Sequence, residues 1–177
     1  MYESGMEVAV RMGTVMGLRD DMLGKMFIPT GCMRGEATSS TYVPEGYPAV
    51  ADFTLHDCMR RGAQAVGREV VSGISATLDG FYSQMKESRL SRELGFDPAD
   101  TFRELKKYRI LGADMESACM LTLANLMGVR ACIVTMTTVL ENLKDQLLGE
   151  ARTQSEEDLC RAVLEGFVLF EREHGGK

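Results

Sequence analysis

The chain has 177 residues, 45% of them hydrophobic, with four prolines. That is enough for one globular core and short for two, so a single domain over residues 1–177 is expected. A formal net charge of −6 and a pI near 5.0 exclude the clustered Lys and Arg surplus that a nucleic-acid or anionic-membrane partner requires, which leaves small molecules or proteins as partners.

The opening MYESGMEVAV lacks the basic start and long apolar stretch of a secretory leader. No apolar run reaches the ~20 residues that span a bilayer, so the chain reads as soluble and cytoplasmic. The five cysteines, Cys32, Cys58, Cys119, Cys132 and Cys160, are odd in number, with no C-x-x-C and no histidine close in sequence. This favours buried, reduced thiols over a disulfide framework or a zinc site, and no metal is expected.

In chain order, Glu7 to Gly13 reads as a buried strand running into a loop at Gly13-Thr14, and Lys25 to Met33 as a second strand. The Gly, Ser, Thr and Pro content of Arg34 to Tyr47 marks a long loop. From Asp52, placed as N-cap, the residues Leu55, Met59, Gly62, Ala63 and Val66 fall on one helical face. A short strand follows over Glu69 to Ser75. Asp97-Pro98 starts a helix with Phe102, Leu105 and Tyr108 on one stripe, and Ile110-Leu111 suggests another short strand. A helix over Glu116 to Met127 ends at Gly128, and Val129 to Val139 is the most continuous strand-like run. Ser155 to Glu173 closes the sequence as an amphipathic helix with Leu159, Val163, Phe167 and Phe170 inward. This alternation predicts an α/β fold with a mixed central sheet flanked by helices.

Ligands in such sheets gather at the carboxyl ends of strands, which singles out three segments. In Arg11-Met12-Gly13-Thr14, Arg11 offers a planar fork of donors suited to phosphate, Gly13 a close backbone approach and Thr14 a hydroxyl. In Asp114-Met115-Glu116-Ser117, a carboxylate can accept from two vicinal hydroxyls, although acidic residues at a helix start serve equally as caps. In TLDGFYSQMK, from Thr77 to Lys86, Phe81 could stack on a planar base and Gln84 could pair with an amide-like edge, although an aromatic pair beside a strand also reads as core. His56 within a helix and His174 near the end are not placed as catalytic bases.

Taken together, the three segments resemble those of the nucleoside phosphorylases, in order and approximate spacing. RMGT resembles the family's R-I-G-T phosphate segment. FIPTGCMRGEATSSTYVPEGYPAVADF is similar to the strand and loop of uridine phosphorylases that ends in P-A-V-A-D, and ADMESACMLTLANLMGVRACIV resembles the E-M-E-S-A helix and the strand after it. The resemblance runs from about Glu7 to the end of the chain. It implies phosphorolysis of a uridine-like ribonucleoside to free base and ribose 1-phosphate. Arg11 and Thr14 would hold phosphate, Met115 and Glu116 the ribose, Phe81 the base face, and Gln84 with Lys86 the pyrimidine edge. Arg11 and Glu116 would be the catalytic pair. Inorganic phosphate is a co-substrate, no cofactor is implied, and a homo-oligomer is.

Departures from the family pattern keep two other readings open: an inactive, shortened relative acting through assembly, and a nucleoside hydrolase of the same fold. Met16 follows RMGT where small residues are usual. FYSQMK is one residue shorter than F-Y-x-G-Q-x-R and ends in Lys86 in place of arginine, which loses the planar fork. Asp114 replaces a longer glutamate, and no N-R pair is found near Glu141-Asn142. The family's first strands and glycine-rich phosphate loop have no counterpart here, so the sheet is expected to be incomplete at the N-terminus and to expose apolar edges.

Overall fold

A computed structural model describes residues 2–175. Its centre is an eight-stranded mixed sheet in the order β4-β3-β6-β7-β1-β8-β2-β5, flanked by helices. The expected α/β architecture is therefore the observed one.

Strand β1 (Val8–Gly17) does not stop at Gly13, because β8 (Arg130–Leu140) runs alongside it in parallel. The ladder carries Val8 opposite Arg130 through to Gly17 opposite Leu140, with a bulge between Val15 and Met16. Residues Ala131 to Val134 of β8 are buried, as a central strand covered on both faces requires.

Both strands expected on either side of the long helix are broken. Lys25 to Met33 divides at Pro29 into β2 (Met26–Phe27) and β3 (Gly31–Gly35), since proline has no N–H for a ladder. Glu69 to Ser75 divides beside Gly73 into β5 (Val70–Val71) and β6 (Ile74–Leu78). The two broken strands stay side by side across the breaks, Ile28 N donating to Val71 O at 3.0 Å and Thr30 N to Gly73 O at 2.9 Å. Each thus leaves one end of the sheet and joins the other, which rolls the sheet around the buried side chains of Val15, Met22 and Phe27.

The ends of the sheet are β4 (Ala49–Val50) and β5, two residues each, so the long apolar edge expected of a shortened sheet is largely missing. It survives along β1 opposite β8, where, among the described residues, only Met16 and Gly17 find a second strand.

Helix α1 (Phe53–Ala65) starts as expected, with Asp52 accepting from Leu55 N at 2.8 Å, a cap that contributes about 1 kcal/mol. It crosses α5 (Gly149–His174), which begins before the expected Ser155, at Gly62 and Gly166. Together the two helices cover Met26, Val134 and Met136 of the sheet. A second layer, α4 (Ser117–Met127), covers Ala131 and Ile133 from the other face and ends at Gly128 with φ of 70°, a left-handed cap that glycine adopts without strain.

Among the elements not anticipated are a single π-type turn over Phe81–Met85 and α2 (Arg89–Leu94), capped by Ser88. With α3 (Pro98–Lys107) they close a third cluster around Met16, Leu78, Met85 and Phe102. The strand expected at Ile110-Leu111 lies slightly later, as β7 (Gly112–Asp114). The loop between β3 and β4 is pinned by the Arg34 guanidinium, whose Nη1 donates to the carbonyls of Pro44, Glu45 and Tyr47 at 2.8, 3.1 and 2.9 Å.

All five cysteines are free. Burial holds for Cys58 and Cys132, whereas Cys160 is exposed on the outer face of α5 and Cys32 and Cys119 are half-buried, which corrects the expectation of uniformly buried thiols.

Candidate active site

The site lies at a fork in the sheet. β1 and β7 are antiparallel and pair only through Met16 opposite Ala113 and Gly17 opposite Gly112. Beyond that, β1 continues with β8 while β7 ends at Asp114 and turns into α4. Arg11 and Thr14 therefore lie inside β1 rather than after it, which corrects the sequence reading, and they face the gap that β7 leaves.

Asp114, almost fully buried, is saturated by its own fold. Its Oδ1 accepts from Thr77 Oγ1 at 2.8 Å and from Ser117 N at 3.3 Å, and its Oδ2 accepts from Ser117 Oγ. Thr77 Oγ1 in turn accepts from Ala118 N at 2.8 Å, so the end of β6 and the first turn of α4 are tied together through one carboxylate. A buried carboxylate is tolerated when its lone pairs are filled in this way. Its remaining role is to position Arg11, whose Nη1 lies 3.4 Å from Asp114 Oδ2.

Glu116 occupies the N-cap position of α4, yet its side chain makes no cap hydrogen bond. The capping function has passed to Asp114, and Glu116 turns outward to accept from Arg11 Nη2. The other terminal nitrogen of Arg11, Nη1, is buried without a hydrogen-bond partner. Gly13 allows the arginine this position: a Cβ there would stand 3.1 to 3.2 Å from the guanidinium atoms.

Arg11, Thr14, Phe81, Met115 and Glu116 line one cavity of about 190 Å³, with Met16, Met85 and Val139 on its apolar side. Met16, the unusual residue after RMGT, is buried in the cluster of Leu78, Met85 and Ala113.

Gln84 and Lys86 are not brought to this cavity, which departs from their expected place at the base edge. Gln84 Oε1 accepts from Gly80 N at 2.9 Å and the residue lines a separate cleft with Phe96 and Asp97. Lys86, at the end of the π-type turn, is exposed. The turn sets both orientations, Lys86 N donating to Phe81 O at 2.7 Å. A larger cleft of about 570 Å³ lies beyond Met85, and two of its charged groups, Lys106 and Glu141, are paired with each other.

Thr77 and Ser117, which hold Asp114, were not singled out by the sequence reading, because neither hydroxyl sits in a pattern that announces a partner in another element. His56 Nε2 lies 3.0 Å from Ile28 O, a structural contact. Cys58, Glu173 and His174 place ligand-type atoms within 4.8 Å of one another. The Arg61 guanidinium already donates to Cys58 Sγ at 3.4 Å and to Glu173 at 2.9 Å, so a cation is in place there and no metal is assigned. Among the described residues no helix is long and apolar enough to cross a membrane.

Residues 1–167 match the family model described as phosphorylase superfamily. Similar proteins include the uridine phosphorylase of Treponema pallidum, 28% identical over 94% of this chain and 64% of its own length. The uridine phosphorylase of Thermococcus kodakarensis is 30% identical over 72% of this chain and 46% of its own length. The guanosine phosphorylase of Halorubrum lacusprofundi is 30% identical over 90% of this chain and 64% of its own length. The chain thus spans less than two thirds of the length of these relatives. With a match over nearly its whole length, and with the RMGT strand and the DMES helix start meeting in one cavity of a mixed sheet, the chain belongs to the phosphorylase superfamily.

Proposed function

We propose that the chain carries out phosphorolysis of a ribonucleoside, the uridine-like reaction, giving free base and ribose 1-phosphate. The observation that carries this reading is the convergence of the Arg11 guanidinium, the Thr14 hydroxyl and the Glu116 carboxylate on one cavity. Asp114 holds the guanidinium in place at 3.4 Å from Nη1, and Nη2, once released by Glu116, can give a phosphate oxygen a charge-assisted bond. Glu116, more than half exposed, is free to exchange Arg11 for the vicinal hydroxyls of a ribose. Uridine and guanosine phosphorylases both stand among the relatives, and the nucleosides in those names share the ribose and differ in the base.

In this reading a phosphate oxygen, held by Arg11 and Thr14, forms a bond to the anomeric carbon while the bond from that carbon to the base nitrogen breaks. The electron pair leaves with the base, which takes up the proton that the attacking hydrogen phosphate loses. The transition state is oxocarbenium-like, so the phosphate charge beside the sugar and the Glu116 bonds to its hydroxyls stabilise it more than the ground state. Met115 lies against the sugar and Phe81 against the base. Inorganic phosphate is the co-substrate, and no cofactor takes part.

The test is base release from uridine and from inosine by the purified chain, with and without inorganic phosphate. Phosphate-dependent release that falls by at least about a hundredfold in Glu116→Ala and in Arg11→Ala supports the reading. Release that is indifferent to phosphate would mean hydrolysis, and none from folded protein would mean an inactive assembly partner.

A further inference from the structure

The polar lining of the cavity is Arg11, Thr14, Asp114 and Glu116, while Met16, Phe81, Met85 and Val139, which belong to one apolar cluster, supply apolar lining. Gln84 and Glu141, polar residues close in sequence to that apolar lining, line other clefts. Gln84 Oε1 is held by Gly80 N at 2.9 Å. Glu141 is paired with Lys106 through Oε1 and lines the neighbouring cleft, not this cavity.

Asn142 is consumed in its own turn. Its Oδ1 accepts from the N–H groups of Lys144 and Asp145 at 2.9 and 3.0 Å, and its Nδ2 donates to Asp145 Oδ2 at 2.7 Å. That turn holds Leu143 at φ of 56°, an unfavourable conformation for a branched side chain, and packs it on the same apolar cluster as Phe81 and Val139.

We propose that the base is recognised by shape and by stacking between Phe81 and the side chains of Met16 and Met85, not by hydrogen bonds to its edge, so that the site takes pyrimidine and purine ribonucleosides alike. This rests on the phosphorolysis reading and deepens it. Apolar pockets separate ligands of similar shape by only about 10- to 200-fold, whereas a pocket built to hydrogen-bond a ligand rejects one lacking the matching group by about 10⁴-fold or more. Selectivity in this protein therefore resides in the ribose, through Glu116, and in the phosphate, through Arg11.

The experiment compares kcat/KM for uridine, inosine and guanosine at saturating phosphate, with direct calorimetric binding of ribose 1-phosphate in parallel. The expected result is values for the three nucleosides within about tenfold of one another, all lowered together by Phe81→Ala. Gln84→Glu, which keeps an acceptor for Gly80 N–H and removes the amide donor, is expected to move the uridine-to-inosine ratio by less than twofold. A preference above about a thousandfold for one base, or a Gln84→Glu effect confined to uridine, overturns the inference while leaving phosphorolysis intact. Failure to bind ribose 1-phosphate, with no base released, overturns phosphorolysis and the inference together.

Discussion

Arg11 and Glu116, 105 positions apart in the chain, form an ion pair across the fork where β1 and β7 separate. In the proposed reaction the two residues serve different substrates, so the pair competes with both. Glu116 is more than half exposed, and ion pairs of that kind contribute about 0.2 to 1 kcal/mol. Glu116→Ala is accordingly expected to tighten inorganic phosphate binding by up to about fivefold while abolishing base release. Calorimetric titration with phosphate checks it; weaker phosphate binding in the variant would show that the carboxylate positions Arg11 rather than competes for it.

Gly13 separates geometry at the site from stability of the fold. A Cβ at this position would meet the Arg11 guanidinium at 3.1 to 3.2 Å and no other heavy atom nearer. Gly13→Ala is expected to cost less than about 1 kcal/mol in urea unfolding, because the atoms in the way are the end of a flexible side chain. Activity should fall by about tenfold to a hundredfold, since the guanidinium must leave its place. Equal losses in stability and activity would count against a positioned arginine.

The crossing of α1 and α5 leaves no such freedom. A Cβ on Gly62 would lie 2.4 Å from Ala162 O and 2.5 Å from Gly166 N, both backbone atoms of the opposite helix. Gly62→Ala gains helix propensity yet forces the helices apart, with a net expected destabilisation of about 1 to 3 kcal/mol. A urea midpoint unchanged within error would mean that the two helices slide without cost.

The same crossing carries a pH dependence. The Arg61 hydrogen bond holds the Glu173 carboxyl below its ordinary value of 4.5, and that from Arg60 holds Asp57 below its ordinary 3.8. Because the folded values are depressed, this stabilisation is fully present above the unfolded values and is lost as pH falls through the folded ones. Urea midpoints for the native chain should therefore decline below about pH 4.5, and the gap between it and Glu173→Gln should narrow as pH falls. A gap constant from pH 7 to pH 3 would remove Glu173 from the account.

Thiol chemistry should divide the cysteines by burial. Burial pushes the Cys132 thiol up to about 12, and burial followed by the charge of Asp114 drives Cys32 upward as well. Cys160 is exposed. A disulfide reagent at pH 8 is expected to modify Cys160 within minutes and to reach Cys132 only on unfolding, as peptide mapping would reveal.

Local signals explain what could be read from the sequence and what could not. Asp52, Asp97-Pro98 and Gly128 mark helix ends through short-range chemistry, and the structure places caps at all three. The apolar run before Leu140 announced a central strand for the same reason. The breaks at Pro29 and Gly73 were visible as residues, but their effect, a strand leaving one end of the sheet to join the other, depends on partners far away in sequence. At the site, Arg11, Thr14, Phe81, Met115 and Glu116 converge as their segments suggested. Gln84 does not, because a π-type turn and the Gly80 N–H decide where its amide points, and neither follows from residue type. Thr77 escaped notice because its value lies in a hydrogen bond to Asp114, across a strand boundary.

The pairing of Val8 with Arg130, and of every residue of β1 with its counterpart in β8, has a consequence for how the protein is made. During synthesis β1 emerges well before β8, so this ladder cannot close until β8 has left the ribosome. Contacts of such long sequence separation fold slowly, and until then the edge of β1 that β8 will cover is open to any neighbour. The binding cavity, built across that ladder, is thus among the last features to form, and nascent chains pass through a period in which β1 is open to association with other chains.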